Sequence, residues 1–340
     1  MIQVLFYAGA LLAGLLLSAL AAALLGDPAL GDLRLSHVLY VVTIVAVGLG
    51  AAGPRVLRNS LSIAAAFAGV FGGVALIYIF LAQVLYVGTA MAIKHGGLAF
   101  LWNIPPTPAD ETGGIGPALL GTLYMTAIGA FFGFLIGFPA GVYLGEFRRE
   151  LAAKVARIGV NVLVEFPTIT IGLLVYALFS LLDLKSLLGV ESFSGYAGAF
   201  ALTIIMIPYV ALFTAAAYAS IAPAVREAAY AVTGSLYKTL FIVMRKVVAR
   251  AVLVAFLLGT AKIAGETAPL LFTAFGNDYY TSEIFGVDLS KPTGALTLLI
   301  YYMARSPYTV QNEVAWGAAA VLLWIILAIF AVARLLQRSA

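Results

Sequence analysis

Lys262-Ile263-Ala264-Gly265-Glu266-Thr267-Ala268-Pro269-Leu270-Leu271-Phe272 lies inside an apolar segment long enough to cross a membrane, yet it holds a cation and a carboxylate four residues apart. At helical spacing both side chains share one face, one turn apart, and can pair. An unpaired charge at the centre of a bilayer helix costs roughly 2.5–3.5 kcal/mol on insertion scales, and pairing offsets part of that. Pro269 has no amide proton, so the carbonyl of Gly265 is expected to lose its helical partner, and Gly265 itself loosens the turn. A charge pair, a freed carbonyl and a bendable backbone thus coincide midway along a span. They read as a substrate path or gate, with a purely structural pair as the alternative. Thr267 adds a hydroxyl to the same stretch.

Composition sets the class. Of 340 residues, 63% are hydrophobic and 10% charged, with a mean hydropathy of +1.07. A globular chain is on average about one quarter charged, so this is read as an all-α, polytopic membrane bundle. The net charge of +4 is small and spread over loops, which does not suggest nucleic-acid binding. There is no cysteine, so disulfides, thiolate metal sites and cysteine nucleophiles are excluded. His37 and His95 lie far apart without ligand spacing and are expected to be interfacial loop residues. No metal site and no cofactor is expected.

Apolar runs of about 18 or more residues read as spans. Eight are found, near 4–25, 37–53, 61–89, 117–145, 159–182, 196–219, 248–273 and 314–335. The first has no basic n-region, and although Ser18-Ala19-Leu20-Ala21 mimics a cleavage site, it is read as a retained membrane helix. Residues 295–304 are apolar but too short to span, and read as an interfacial or re-entrant piece.

Orientation follows the basic residues of the loops. Thirteen fall on one side, in the groups Arg55–Arg58, Arg148–Arg157, Arg226–Arg250 and Arg334–Arg338; five, namely Arg34, Lys94, Lys185, Lys291 and Arg305, fall on the other. This places both termini in the cytoplasm of a multi-pass cell-membrane protein. Trp102, Tyr279, Tyr280 and Tyr308 flank outer span ends as interfacial anchors do.

The long cytoplasmic loop, 220–247, begins Ala222-Pro223-Ala224-Val225-Arg226-Glu227-Ala228-Ala229-Tyr230. Pro223 suits a helix start and alanines propagate it, until Gly234-Ser235 breaks it. A second amphipathic stretch from Leu236 towards Arg250 follows, so two short helices are expected on the cytoplasmic face, as a docking surface or simply as a structured loop.

The motifs of catalysis are missing. There is no phosphate-binding Gly-x-x-x-x-Gly-Lys-[Ser/Thr], no His-Glu-x-x-His and no Gly-x-Ser-x-Gly. Asp110-Glu111 is the one adjacent acidic pair, in a proline-rich outer loop. Catalysis by this chain alone is not expected.

Within spans, the charges are Glu165, Lys262 and Glu266. Lys262 is the one fixed cation available to an anionic substrate at that depth, with Glu266 holding it. Glu165 either meets the helix of Lys262 or reaches towards the cytoplasm. Pro139, Pro167, Pro208 and Pro269 each interrupt a span, and freed carbonyls there need neighbours or a wet cavity. Gly129, Gly133, Gly137 and Gly141 form a small-residue stripe, which permits close helix contact.

With these residues laid out, the chain resembles the membrane permease subunits of ATP-binding-cassette importers, above all the PstA-type permeases of phosphate transporters. Arg226-Glu227-Ala228-Ala229-Tyr230-Ala231 resembles the EAA loop that docks on the ATPase. Ile263-Ala264-Gly265-Glu266-Thr267-Ala268-Pro269-Leu270-Leu271-Phe272-Thr273-Ala274 is similar to a segment peculiar to the PstA type. Phe193–Gly198, Ser306-Pro307, and Pro105-Pro106 with Gly113-Gly114 are similar to the same family. Two departures stand out: the EAA pattern has glycine where Thr233 stands, with Gly234 one place later, and the membrane cation, commonly arginine, is Lys262.

The resemblance covers about residues 61–336. It implies a six-helix MetI-like permease core in a domain 61–340, with residues 1–60 as an extra N-terminal transmembrane hairpin. It also implies a heterodimer with a PstC-like permease, a PstB-like ATPase dimer that performs the ATP chemistry, and a PstS-like binding protein delivering inorganic phosphate. Docking on the ATPase falls to Arg226, Glu227, Ala228, Ala229 and Gly234, and the substrate path to Lys262, Gly265, Glu266, Thr267 and Pro269. A permease for another oxyanion, such as tungstate or molybdate, is the alternative within transport; a membrane enzyme or scaffold is the alternative outside it.

Overall fold

The structure is a computed structural model that describes residues 55–282 and 286–338, and before them only a two-residue antiparallel pairing of Ala29–Leu30 with Leu33–Arg34. The expected spans 4–25 and 37–53, and His37, lie outside the described residues. By its internal contacts the chain divides into residues 1–84 and 85–340. Helix α1, Arg55–Lys94, begins in the first unit and ends in the second.

The second unit is helical. Its elements are α2 (Gly116–Glu146), α3 (Leu151–Glu165), α4 (Thr168–Leu181), α5 (Leu184–Leu188) and α6 (Gly195–Ala219). They are followed by α7 (Pro223–Thr233), α8 (Leu236–Lys238), α9 (Arg245–Ala264), α10 (Ala268–Leu271), α11 (Leu296–Met303) and α12 (Thr309–Arg338). Among the described residues, four helices are long and apolar enough to cross a membrane: Leu76–Lys94, α2, α6 and Thr309–Leu336.

Two expected spans are not continuous helices. Residues 159–182 form the end of α3 and all of α4, which meet at 99°. Phe166, at φ −69° and ψ 132°, is extended, the conformation forced on a residue that precedes proline, and Pro167 then opens α4. Counted as one broken span, this pair is a fifth. Residues 248–273 are interrupted too: α9 ends at Ala264, and α10 starts only at Ala268. Pro139 and Pro208, by contrast, lie within unbroken α2 and α6.

The core is the seam between α2 and α6, closed by α4, α9 and α10. The glycine stripe makes this seam possible and runs one step further than expected, to Gly145. A Cβ at Gly133 would lie 2.7 Å from that of Met206, and one at Gly145 would lie 2.7 Å from the Ala215 carbonyl oxygen. Only a bare backbone fits, and the helices close to the distance at which small-residue stripes pack.

The piece 295–304 is helix α11. It is buried, with Leu296 and Leu298 at 0% and 1% exposure, and Thr122 Oγ1 of α2 accepts its first amide, from Leu296, at 2.8 Å. His95, expected to be an interfacial loop residue, lies in the turn that follows α1 but is buried, at 1% exposure. Its Nδ1 accepts the Gly113 amide at 3.3 Å, so Nε2 donates to Glu313, at 3.0 Å. That partner is 218 residues away in sequence. Trp102, Tyr279, Tyr280 and Tyr308 are all exposed, as interfacial anchors must be.

Candidate functional site

The break between α9 and α10 carries the expected path residues. Helix α9 stops at Ala264, Gly265 takes φ −93° and ψ 4°, and Glu266 and Thr267 are not helical. The expectation that Pro269 strips a helix of its hydrogen bond is corrected here. The helix has already ended, and Pro269 sits in the first turn of α10, where no amide proton is needed. The Lys262–Glu266 pair therefore forms across a helix end and not within a helix.

Lys262 Nζ donates to Glu266 Oε1. The pair is lopsided in exposure: the lysine side chain is 43% exposed and the glutamate 8%. Glu266 is anchored from behind, since its carbonyl accepts the Thr297 hydroxyl of α11 at 2.9 Å. Lys262 Nζ also lies 5.9 Å from the centre of the Tyr209 ring on α6, within cation–π reach. Thr297 and Tyr209 were not singled out from sequence. Only the apolar run around Thr297 gave a signal, and it was read as an interfacial or re-entrant piece with no link to the break.

The other path residues shape this turn. Thr267 starts α10 without a side-chain cap. Pro269 is clamped by α4, where a Cβ on Gly172 would lie 2.6 Å from the Pro269 carbonyl oxygen. Gly265 is exposed beside Lys262, and the nearest atom to a Cβ there is Ile326 Cδ1 at 3.8 Å. Packing does not require this glycine. Gly265→Ala is expected to leave stability within about 0.5 kcal/mol in a detergent melting series, and a larger loss would mean that the turn needs glycine's backbone freedom.

Two recesses lined largely by the loop residues 275–295 offer an anion much less. One, of about 340 Å³, is lined by Tyr124, Tyr196, Thr281 and Asp288 among others. The second, of about 380 Å³, is lined by Asn277, Asp278 and Tyr302 among others. Neither shows a Lys or Arg among its described lining residues. Hydrogen bonds from the Ser290 side chain and backbone hold Asp288 below the usual carboxylate range, and Lys291 Nζ lies 3.3 Å from Asp288 Oδ2. Burial pushes Asp278 upwards. By contrast, the end of α9 places a cation, Lys262, beside an unwound backbone.

Glu165, at the last turn of α3, is exposed, and Lys262 pairs with Glu266 and not with it. Among the described residues no group of three or more His, Asp or Glu could hold a metal ion.

The expected docking segment forms helix α7 between Pro223 and Thr233, closed by Gly234 at φ +57°. That left-handed turn suits glycine. Thr233, standing where the resembled pattern has glycine, is the last helical residue; its hydroxyl donates back to the Ala229 carbonyl at 2.9 Å. The second expected docking helix is not separate. After the single turn of α8, a π turn (Thr239–Met244) leads straight into α9. Glu227 and Ala228 are exposed, while Ala229 is 7% exposed and packs inward. Arg226 also points inward, with its Nη2 3.2 Å from Glu146 Oε2.

No family model matches the chain. In fold, the chain is similar to one from the MetNI methionine ABC transporter in an inward-facing conformation. That match has a TM-score of 0.50 at 20% identity and covers 64% of this chain and 94% of the other. In sequence, the chain is 36% identical to the phosphate transport system permease protein PstA of Haemophilus influenzae over 67% of its own length and 78% of the relative's. It is 37% identical to the probable phosphate transport system permease protein PstA of Methanocaldococcus jannaschii over 70% of this chain and 79% of that one. The chain thus belongs to the PstA family of phosphate transport system permease proteins.

Proposed function

We propose that this chain is the membrane permease subunit of an ATP-driven importer and that inorganic phosphate passes Lys262. The observation that carries the reading is the half-exposed lysine at an unwound point of an otherwise helical segment, braced by a buried carboxylate. An anion needs a counter-charge in low dielectric, and non-helical backbone at membrane depth is tolerated where it lines a cavity. Membership of the PstA family names the anion. Lys262 faces outward from its own bundle, which supports a path completed by a second, PstC-like permease.

Glu266 orients Lys262 and competes with the anion for it, so a passing phosphate exchanges one partner of the lysine for another. Gly265, Thr267 and Pro269 keep the backbone open there. The chain contributes no ATP chemistry: a PstB-like ATPase dimer docks on Glu227, Ala228 and the turn at Gly234, and a PstS-like protein delivers phosphate outside. The loop charges put both termini in the cytoplasm, with residues 61–340 as the permease domain and 1–60 as a preceding transmembrane hairpin.

Vesicles carrying the whole assembly, with ATP inside and binding protein outside, test the substrate by phosphate uptake in competition with molybdate and tungstate. Phosphate uptake resistant to both competitors supports the reading, while preferential uptake of either competitor replaces the substrate. Glu227→Lys reverses a charge on the exposed face of α7 and is expected to lower uptake by about tenfold or more, about 1.4 kcal/mol, with normal membrane insertion. Unchanged uptake in this variant sinks the docking role.

A further inference from the structure

Arg226 does not lie on the exposed face of α7. Its Nη2 donates to the Tyr218 carbonyl at 3.1 Å and lies 3.2 Å from Glu146 Oε2. Both side chains are largely withdrawn from solvent, at 22% and 9% exposure. Glu146 is the last residue of α2, and Tyr218 is in the last turn of α6. Tyr218 itself is fully buried, and its hydroxyl donates to the Leu240 carbonyl at 3.1 Å. Leu240 belongs to the π turn that leads into α9, and a π turn leaves the regular hydrogen-bond ladder out of step. Four elements meet at these side chains: the docking helix, the ends of α2 and α6, and the base of the helix that carries Lys262.

The meeting point is incompletely bonded. Among the described residues, three buried side-chain polar atoms lack a hydrogen-bond partner, and two of them are Arg226 Nε and Glu146 Oε2. The ion pair has a close approach but not the alignment of a hydrogen bond. A static Arg–carboxylate pair tends towards the two-point fork that satisfies both groups, and buried polar atoms are as a rule bonded. The two-point fork would be a second arrangement of the same pair, one that satisfies both orphaned atoms, and rotation of α7 against α2 is the movement that would reach it.

We propose that Arg226 is a positioning residue that transmits movement of the docked ATPase from α7 to α2, α6 and α9 by exchanging these two arrangements with Glu146. Tyr218 carries the movement on, through its hydroxyl, to the π turn at the base of α9. This rests on α7 being the ATPase-docking helix, but turns Arg226 towards the bundle while Glu227, one residue on, stays exposed.

The test measures ATP hydrolysis and phosphate uptake in the same vesicles carrying the whole assembly. Arg226→Gln is expected to keep the ATPase bound and hydrolysing while the phosphate moved per ATP falls at least about fivefold, the lower end of ordinary coupling between sites. Arg226→Lys, with one contact point, is expected to fall between that variant and the wild type. Arg226→Gln with Glu146→Gln removes both buried charges, so it is the variant expected to fold even if the single one does not, and it should be equally uncoupled. Exchanging the two residues, Arg226→Glu with Glu146→Arg, is expected to restore part of the coupling.

An unchanged ratio of phosphate to ATP in the neutral double variant overturns the proposal, as does loss of ATPase binding on Arg226→Gln, which would return Arg226 to the docking surface. A wild type that binds no ATPase removes the docking reading as well, whereas a coupled wild type with a coupled double variant removes only this inference.

Discussion

Lys262→Gln is expected to reduce phosphate uptake to less than about a tenth of wild type, a step of about 1.4 kcal/mol or more in the transport barrier, while the subunit stays in its complex. The glutamine keeps much of the length and polarity of lysine but brings no charge to the break. The neutral partner variant then separates two roles. If Lys262 serves only to neutralise the 8%-exposed Glu266 side chain, then Lys262→Gln with Glu266→Gln removes both charges and should restore uptake. If the lysine serves the anion, the double variant stays inactive. Restored uptake would leave the permease reading standing and move the phosphate path elsewhere.

The second large effect is on folding. Gly141→Val on α2 would place a Cβ 2.5 Å from that of Thr214 and 2.6 Å from the Ala211 carbonyl oxygen. Neither neighbour is the tip of a flexible side chain, so the seam between α2 and α6 must open. Overpacking of this kind costs about 1–3 kcal/mol and occasionally more. Gly159→Ala on α3 is the matched control, because a Cβ there meets nothing of this chain within 4 Å. Removing a glycine from an open helix interior should raise stability by about 0.5–1 kcal/mol. Thermal unfolding in detergent should therefore shift in opposite directions for the two variants; a shared direction would mean that α2 and α6 do not meet as described.

These variants also mark what the sequence makes legible. The glycine stripe could be read because four-residue spacing has one meaning on a helix, and the structure adds only its partner and one further turn. Pro223 and Gly234 bounded α7 correctly because both act through local backbone geometry. The Lys262–Glu266 pair was also legible, since its spacing is local.

Long-range geometry was not legible. Pro167 announced a discontinuity, but its 99° size depends on what each half packs against. At the central break, a proline drew attention to position 269, while the helix ended at Ala264. There Glu266 finds a better set of contacts outside the helix, with Lys262 on one side and Thr297 on the other. Thr297 is 31 residues further along the chain, and nothing local points to it. The inward turn of His95 and Arg226 was not legible for the same reason: each meets a carboxylate supplied by a different helix, Glu313 and Glu146.

The unbroken length of α9 has a mechanical consequence. Twenty residues separate the π turn from Gly265 without interruption, and a helix of that length is about 30 Å long. A lever of about 30 Å tilted by about 10° at its base displaces its tip by about 5 Å. That stroke exceeds the reach of a hydrogen bond, so a small angular change at the π turn would be enough to carry the Lys262 ammonium away from its partner Glu266.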